Sequence, residues 1–411
     1  MHRVALRGPT TARGRVGAVG CRVEPTRIVA SSRVGRRSES VRRWVAASSS
    51  TDCWSDPRGR AGSATLLGVT ASPPLPPLPF RTVDALAAGA GPRRLRSTKL
   101  YAPVPGVRMD AARRGDFRAV CRAVALVLPD GAAFSHVTAA RLCGLPVSRV
   151  AELETRLHIT GPGALRPRRA PLVVPHEGLA PEDVRRRDGL PLTSPVRTWL
   201  DHGAALGAPL IDARGAERRG VDPVHEERVV LTDALLACDG LREVPRYGVV
   251  PADLELALAA ARGQRGVRRL GRALSAASRF VDSPPETRLR LGLSVAGFPP
   301  PVVGADVCTA AGAWVGRPDL CWPEARVVVD YDGAPHVNRR KLASDVARRD
   351  SYERVGWRQV VLFADDLMTR WHITCRRIHE AMDAQGATAG GLVRASSAVS
   401  GRPRLVVSSP N

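Results

Sequence analysis

Gly316-Arg317-Pro318-Asp319-Leu320-Cys321-Trp322-Pro323-Glu324-Ala325-Arg326-Val327-Val328-Val329-Asp330-Tyr331-Asp332-Gly333, with His336 close behind, reads as two strands that carry three carboxylates. The run from Arg326 to Tyr331 is short, β-branched and closed by turn residues on both sides, which is the composition of a buried strand. Side chains alternate along it, so Asp330 and Asp332 share one face while Val327, Val329 and Tyr331 take the other. If the chain reverses over Pro323 to Ala325, Trp322 lies near Arg326 and Asp319 lands opposite either Val329 or Asp330. A slip of one residue separates these registers, and only the second puts both acids on one face. There, opposed residues sit about 4.5 to 5.5 Å apart, a spacing at which Asp319 and Asp330 are placed to share a metal ion. Like charges that close raise each other's pKa, and a divalent cation is the simplest compensation. For oxygen donors that cation is Mg²⁺ or Mn²⁺.

Pro318-Asp319, ten residues, then Asp330-Tyr331-Asp332 resembles the PD-(D/E)XK pattern of restriction-endonuclease-like nucleases. The departure is Asp332, which stands where that pattern has a lysine. The run Asp330-Tyr331-Asp332-Gly333-Ala334-Pro335-His336 is similar to a Vsr-like group of actinobacterial domains of unknown function. The resemblance spans Ser283 to Met382 and implies an αβββαβα core. Its parts are a helix from Ser283 to Gly297, strands over Pro301–Cys308, Trp314–Trp322 and Arg326–Tyr331, a helix over Arg339–Val355, a strand over Trp357–Phe363 and a closing helix over Leu367–Met382. It also implies metal ligation by Asp319 and Asp330, and an acid on the first helix, Glu286, aimed at the metal. With the lysine replaced, either Asp332 becomes a ligand or His336 becomes the general acid/base, its ordinary pKa of roughly 6.5 suiting that task. Local physics offers Glu286 a different role, because Ser283 at N-cap, proline at N1 and Glu286 at N3 make a capping box.

The chain has 411 residues and a net charge of +23, more than half of it in residues 1–108. All 62 basic residues but Lys99 and Lys341 are arginine, from codon bias or from phosphate contacts. The basic, apolar-spaced run with Arg265, Arg268 and Arg269, and the cluster Arg339, Arg340 and Lys341, are candidate DNA-backbone contacts as well as plain solvated faces. Aromatic residues make up only 4% of the chain, which disfavours a sugar-binding hydrolase. The eight cysteines include no C-x-x-C pair, so a zinc-cysteine site or disulfide framework is not expected. No run of 18 apolar residues occurs and no compact apolar leader opens the chain. A soluble protein of the reducing cytoplasm is expected, with no membrane and no small-molecule cofactor.

Residues 1–108 are rich in Arg, Ser, Gly and Pro and show no apolar period, so disorder is expected, as a basic arm or an over-extended gene start before Met109. From Asp116 to Leu128 the apolar spacing is helical, and Ser135 is placed to cap a helix over Val137–Cys143. Strand-like pieces lie at Arg156–Thr160 and Pro171–Pro175. Ser194-Pro195 then opens a helix anchored by Trp199 and Leu200. The Ser-His, Thr-Ser-Pro-x-Arg-Thr and Asp-Ala-Leu-Leu words together resemble the regulatory part of abortive-infection-type antitoxins. His136, His158, His176, His202 and His225 form no cluster in sequence with acids or cysteines, and structural or surface roles are expected for them.

The sequence thus predicts an α+β protein: a disordered extension over 1–108, a mostly helical, winged-helix-like regulatory domain over 109–282, a nuclease-like mixed sheet flanked by helices over 283–383, and a disordered tail over 384–411. The expected function is metal-dependent hydrolysis of DNA phosphodiesters. The alternative is a catalytically inactive DNA-binding or antitoxin-like regulator that keeps the nuclease fold as a scaffold.

Overall fold

A computed structural model describes residues 74–165, 170–206, 213–239, 244–333, 339–386, 394–397 and 403–407. All of them lie in one compact unit, Thr70–Asn411, which is a mixed α+β assembly of several sheets flanked by helices.

The earlier half is built on a five-stranded mixed sheet in the order Val173–Glu177, Leu157–Gly161, Ala133–Phe134, Leu190–Thr193, Val184–Arg187. Helices Phe117–Ala125, His136–Cys143, Pro195–Ala205, Pro223–Leu236, Pro251–Ala260 and Val267–Ser275 accompany it. Ser194 caps its helix as expected, its hydroxyl accepting from the Arg197 N–H at 3.2 Å, and Trp199 is fully buried with its indole N–H donated to Thr232. Ser135 also sits at an N-cap, but its hydroxyl meets His136 Nδ1 at 3.0 Å and makes no cap bond.

The expected disorder over 1–108 does not hold for residues 74–108. Strands Phe80–Arg81, Val107–Asp110 and Leu100–Tyr101 form a small sheet around the helix Thr82–Ala87. Phe80, Ala85 and Leu95 pack together, and Val104 and Val107 join Met109 in the main core. These apolar residues are too sparse to show a period, so short strands paired through backbone escape a periodicity test. The rest of the extension lies outside the described residues. Nor does the expected tail disorder hold for Pro403–Val407, which pairs in parallel with Asp306–Thr309 and buries Leu405 and Val407; residues 387–393, 398–402 and 408–411 lie outside the described residues.

In the later half, two of the expected strands are each cut in two. Val302–Val303 and Leu320–Trp322 pair in one four-stranded sheet, whereas Asp306–Thr309 and Trp314–Gly316 pair in another. The cuts fall at Gly304, whose φ of +56° suits glycine, and at Pro318, which has no N–H to continue a ladder. Arg317 grips Asp306 across the bend through Nε at 2.9 Å and Nη2 at 3.0 Å.

The sheet that carries the quoted stretch has the order Val302–Val303, Leu320–Trp322, Val327–Tyr331, Arg358–Leu362. The last pair is parallel and is connected through the helix Arg339–Arg354. Alternation splits its core: Leu320, Trp322, Val327 and Val329 pack with Leu289, Leu293 and Trp371, whereas Cys321 and Val328 pack on the other face with Tyr352, Trp357 and Leu405.

Candidate metal and phosphodiester site

A four-residue turn, Pro323 to Arg326, closes the hairpin, with the Arg326 N–H donated to Pro323 O at 3.2 Å. It pairs Trp322 with Val327 and Leu320 with Val329. One step further, this register sets Asp319 opposite Asp330, the second of the two arrangements the sequence left open. Asp319 accepts from the Tyr331 N–H at 2.6 Å, and Asp330 accepts from the Asp319 N–H at 3.3 Å. Each acid is thus oriented by the backbone beside the other.

Glu286 reaches the same place from the first turn of the helix Pro284–Val295 and is buried, as is Asp330. The expected capping box forms only in half: Glu286 reaches back to the cap, but the Ser283 side chain does not cap the helix. The Ser283 hydroxyl donates to Glu286 Oε1 at 2.6 Å and the Asp282 N–H donates to Oε2 at 2.9 Å. The carboxylate is therefore held by donors from the preceding turn, and the Ser283 side chain makes no cap bond.

The electrostatics are adverse to three anions. Burial raises the Asp319 pKa, and the charges of Glu286 and then Asp330 raise it further, to about 8, although the Tyr331 N–H opposes the shift. Burial also raises Glu286 and Asp330, against the Ser283 hydroxyl and the Gln359 amide respectively. Every other buried acid in the described residues has a guanidinium: Glu226 with Arg219 at 2.6 Å, Glu227 with Arg288 at 3.4 Å, Asp233 with Arg290 at 2.9 Å and Asp366 with Arg370 at 3.1 Å. Glu286, Asp319 and Asp330 make no ion pair among the described residues. An oxygen-rich, anionic set is the donor chemistry of a hard divalent ion; Arg348 acts electrostatically on Asp330, and among the described residues the three carboxylates do not bring one oxygen each within 4.8 Å of the others.

Two neighbours were not singled out from the sequence. Gln359, on the parallel strand Arg358–Leu362, donates its amide to Asp330 Oδ2 at 2.6 Å. Tyr352, fully buried on the helix that connects the two parallel strands, feels the charges of Asp330 and Asp319, and its hydroxyl has no hydrogen-bond partner among the described residues. Gln359 stands at an alternating position in a β-branched run, a signal that marks the strand and says nothing of its partner.

Asp332 follows at the strand end, where its N–H is donated to Leu362 O at 2.8 Å. His336 lies outside the described residues. Arg339, Arg340 and Lys341 open the helix Arg339–Arg354, and their side chains are likewise outside them. Arg265, Arg268 and Arg269 are exposed, the last two on the helix Val267–Ser275, whose Leu270 and Ala273 are buried.

Three of the histidines come together, without acids or cysteines. His136, His158 and His176 converge, with one ring nitrogen from each lying within 4.8 Å of the others. Burial holds His136 down at about 3 and His158 at about 4, with His176 close by adding to both shifts. Two neighbouring strands and the first turn of the helix His136–Cys143 bring them together from separate parts of the sequence, so no spacing rule could have found them.

No family model matches the chain, and no solved structure matches it significantly. Two uncharacterised proteins of Mycobacterium tuberculosis, from strains CDC 1551 and H37Rv, are each 26% identical to it over 117 residues, 28% of this chain and 43% of the relative. The chain thus matches less than half the length of these relatives.

Proposed function

We propose that the unit carrying Glu286, Asp319 and Asp330 is a restriction-endonuclease-like domain that hydrolyses DNA phosphodiesters with Mg²⁺ or Mn²⁺. The observation that carries this reading is the contrast among the acids: four buried ones are ion-paired with arginine, while Glu286, Asp319 and Asp330 have raised pKa values, make no ion pair among the described residues, and act on one another through the charge at Asp319. The succession of helix, hairpin strands, connecting helix, parallel strand and closing helix supports it.

In this reading Asp319 and Asp330 hold the ion, and Glu286 faces it from the helix. When bound, the ion supplies Lewis acidity toward a phosphoryl oxygen. The chain's own groups do the rest. The Tyr331 N–H fixes the Asp319 carboxylate, and the Gln359 amide fixes that of Asp330 and favours its ionised form. Asp332 or His336 takes the place of the missing lysine as ligand or proton carrier. Exposed Arg265, Arg268 and Arg269 offer charge to the DNA backbone.

Asp332 in the lysine position favours the second reading, a regulator that binds DNA without cutting it. The deciding experiment incubates the purified full chain with plasmid, single-stranded and mismatched DNA, with Mg²⁺, Mn²⁺ or a chelator. Metal-dependent cleavage that falls at least about 100-fold in Asp319→Asn and in Asp330→Asn is expected. Binding without cleavage assigns the regulator instead, and absence of both removes DNA as the partner.

A further inference from the structure

We propose that His136, His158 and His176 bind a divalent first-row transition-metal ion of the zinc class, at a site separate from the carboxylates. His158 and Thr160 lie on one strand and His176 on its parallel neighbour, in a register that pairs Thr160 with His176 and His158 with Val174. Alternation therefore puts His158, Thr160 and His176 on one face of the sheet. His136 opens the helix His136–Cys143 just after the adjoining strand Ala133–Phe134, and the link between them is tied down by the Ser135 N–H donated to His158 O at 2.9 Å. Its backbone is left-handed, with φ of +50°, a conformation that non-glycine residues seldom adopt and that clusters at functional sites.

His158 Nδ1 and His176 Nε2 are 3.0 Å apart. Two nitrogens bound tetrahedrally at 2.0 to 2.1 Å lie about 3.3 Å from each other, so this pair is within a few tenths of an ångström of sharing an ion. The His136 and His176 rings stack at 3.8 Å between centroids, and one His136 nitrogen lies within 4.8 Å of the other two. The fully buried Ser135 hydroxyl meets His136 Nδ1 at 3.0 Å, the kind of outer contact that fixes the tautomer of a ligating imidazole. Thr160 Oγ1 is buried on the same sheet face and has no hydrogen-bond partner among the described residues. It suits a solvent molecule completing the fourth tetrahedral position. All three histidines are half-buried, which leaves the ion a way in. A donor set of three imidazoles, with no carboxylate or thiolate, selects against Mg²⁺ and Ca²⁺.

The test strips the full-length protein with a chelator, then titrates it with Zn²⁺ against a chromophoric competitor and with Co²⁺ for visible absorption. One tight equivalent and a tetrahedral Co²⁺ spectrum are expected. Both should survive in Asp319→Asn and weaken at least about 100-fold in His158→Ala and His176→Ala. His176→Gln, at a half-exposed strand position, serves if the alanine variants do not fold by circular dichroism. Zn²⁺ should also protect wild-type histidines from diethyl pyrocarbonate. No stoichiometric binding by the folded wild type, or binding that His176→Gln leaves unchanged, overturns the site and leaves a hydrogen-bonded imidazole stack.

Discussion

His202 is a buried imidazole in the helix Pro195–Ala205, and burial lowers its pKa from 6.5 to about 4. The folded state therefore binds fewer protons than the unfolded state between those values, so its share of stability is complete above 6.5 and is lost as pH falls toward 4. At pH 5 the loss should be about 2 kcal/mol, and His202→Gln should remove that much of the difference in urea unfolding between pH 7 and pH 5. An unchanged slope would mean that His202 is hydrated in the folded state. Gln359 acts on a single neighbour. Gln359→Leu strips Asp330 Oδ2 of its donor, so Mg²⁺ binding by calorimetry should weaken at pH 7 and recover at higher pH, where Asp330 ionises without help. A loss that does not depend on pH would make Gln359 a packing residue only.

The helix Arg339–Arg354 lies against the strand Trp314–Gly316 so closely that a Cβ at Gly316 would stand 2.5 Å from the Tyr352 hydroxyl and 2.8 Å from its Cζ. Gly316→Ala should therefore cost about 1 to 3 kcal/mol in denaturant unfolding, as overpacking does. Part of that should return in the double variant with Tyr352→Phe, which removes the nearest atom. By itself Tyr352→Phe should leave stability level or higher, because the hydroxyl is buried without a partner. If the single glycine variant is as stable as wild type, the helix is not seated on the strand in this way. The same contact places a buried phenol beside two carboxylates, so element packing and site geometry are coupled here.

Across the molecule, the helix Pro284–Val295 is joined to the helix Pro223–Leu236 by a buried polar knot. Asp233 accepts from the Thr287 hydroxyl at 2.7 Å, from Arg290 at 2.9 Å and from the Ser278 N–H at 2.8 Å. Asp233→Ala strands the Arg290 charge and should cost about 3 to 5 kcal/mol, with one cooperative transition giving way to two if the halves then unfold separately. The N-terminal boundary can be tested by truncation. A chain starting at Met109 lacks buried Phe80, Leu95, Val104 and Val107 and should unfold at markedly lower urea than one starting at residue 74. Equal midpoints would show that these strands add nothing.

The sequence by itself determined what depends on near neighbours. The turn residues Pro323 to Arg326 made the hairpin legible, the alternation from Val327 to Tyr331 told which residues share a face, and Ser194-Pro195 marked a helix start. Asp319 and Asp330 could be singled out for the same reason, since strand period places acids locally, whereas local reading made Glu286 a cap residue and only the resemblance implied a place for it at the site. The tertiary structure alone decided which register the hairpin takes, that two strands split at Gly304 and Pro318 to serve different sheets, and that Gln359 rather than a lysine meets Asp330. It also gathered His136, His158 and His176 and folded residues 74–108 onto the core. Period and propensity fix the direction in which a side chain points. What it meets depends on contacts between distant segments, which form only when the whole chain closes and which leave no spacing in the sequence to read.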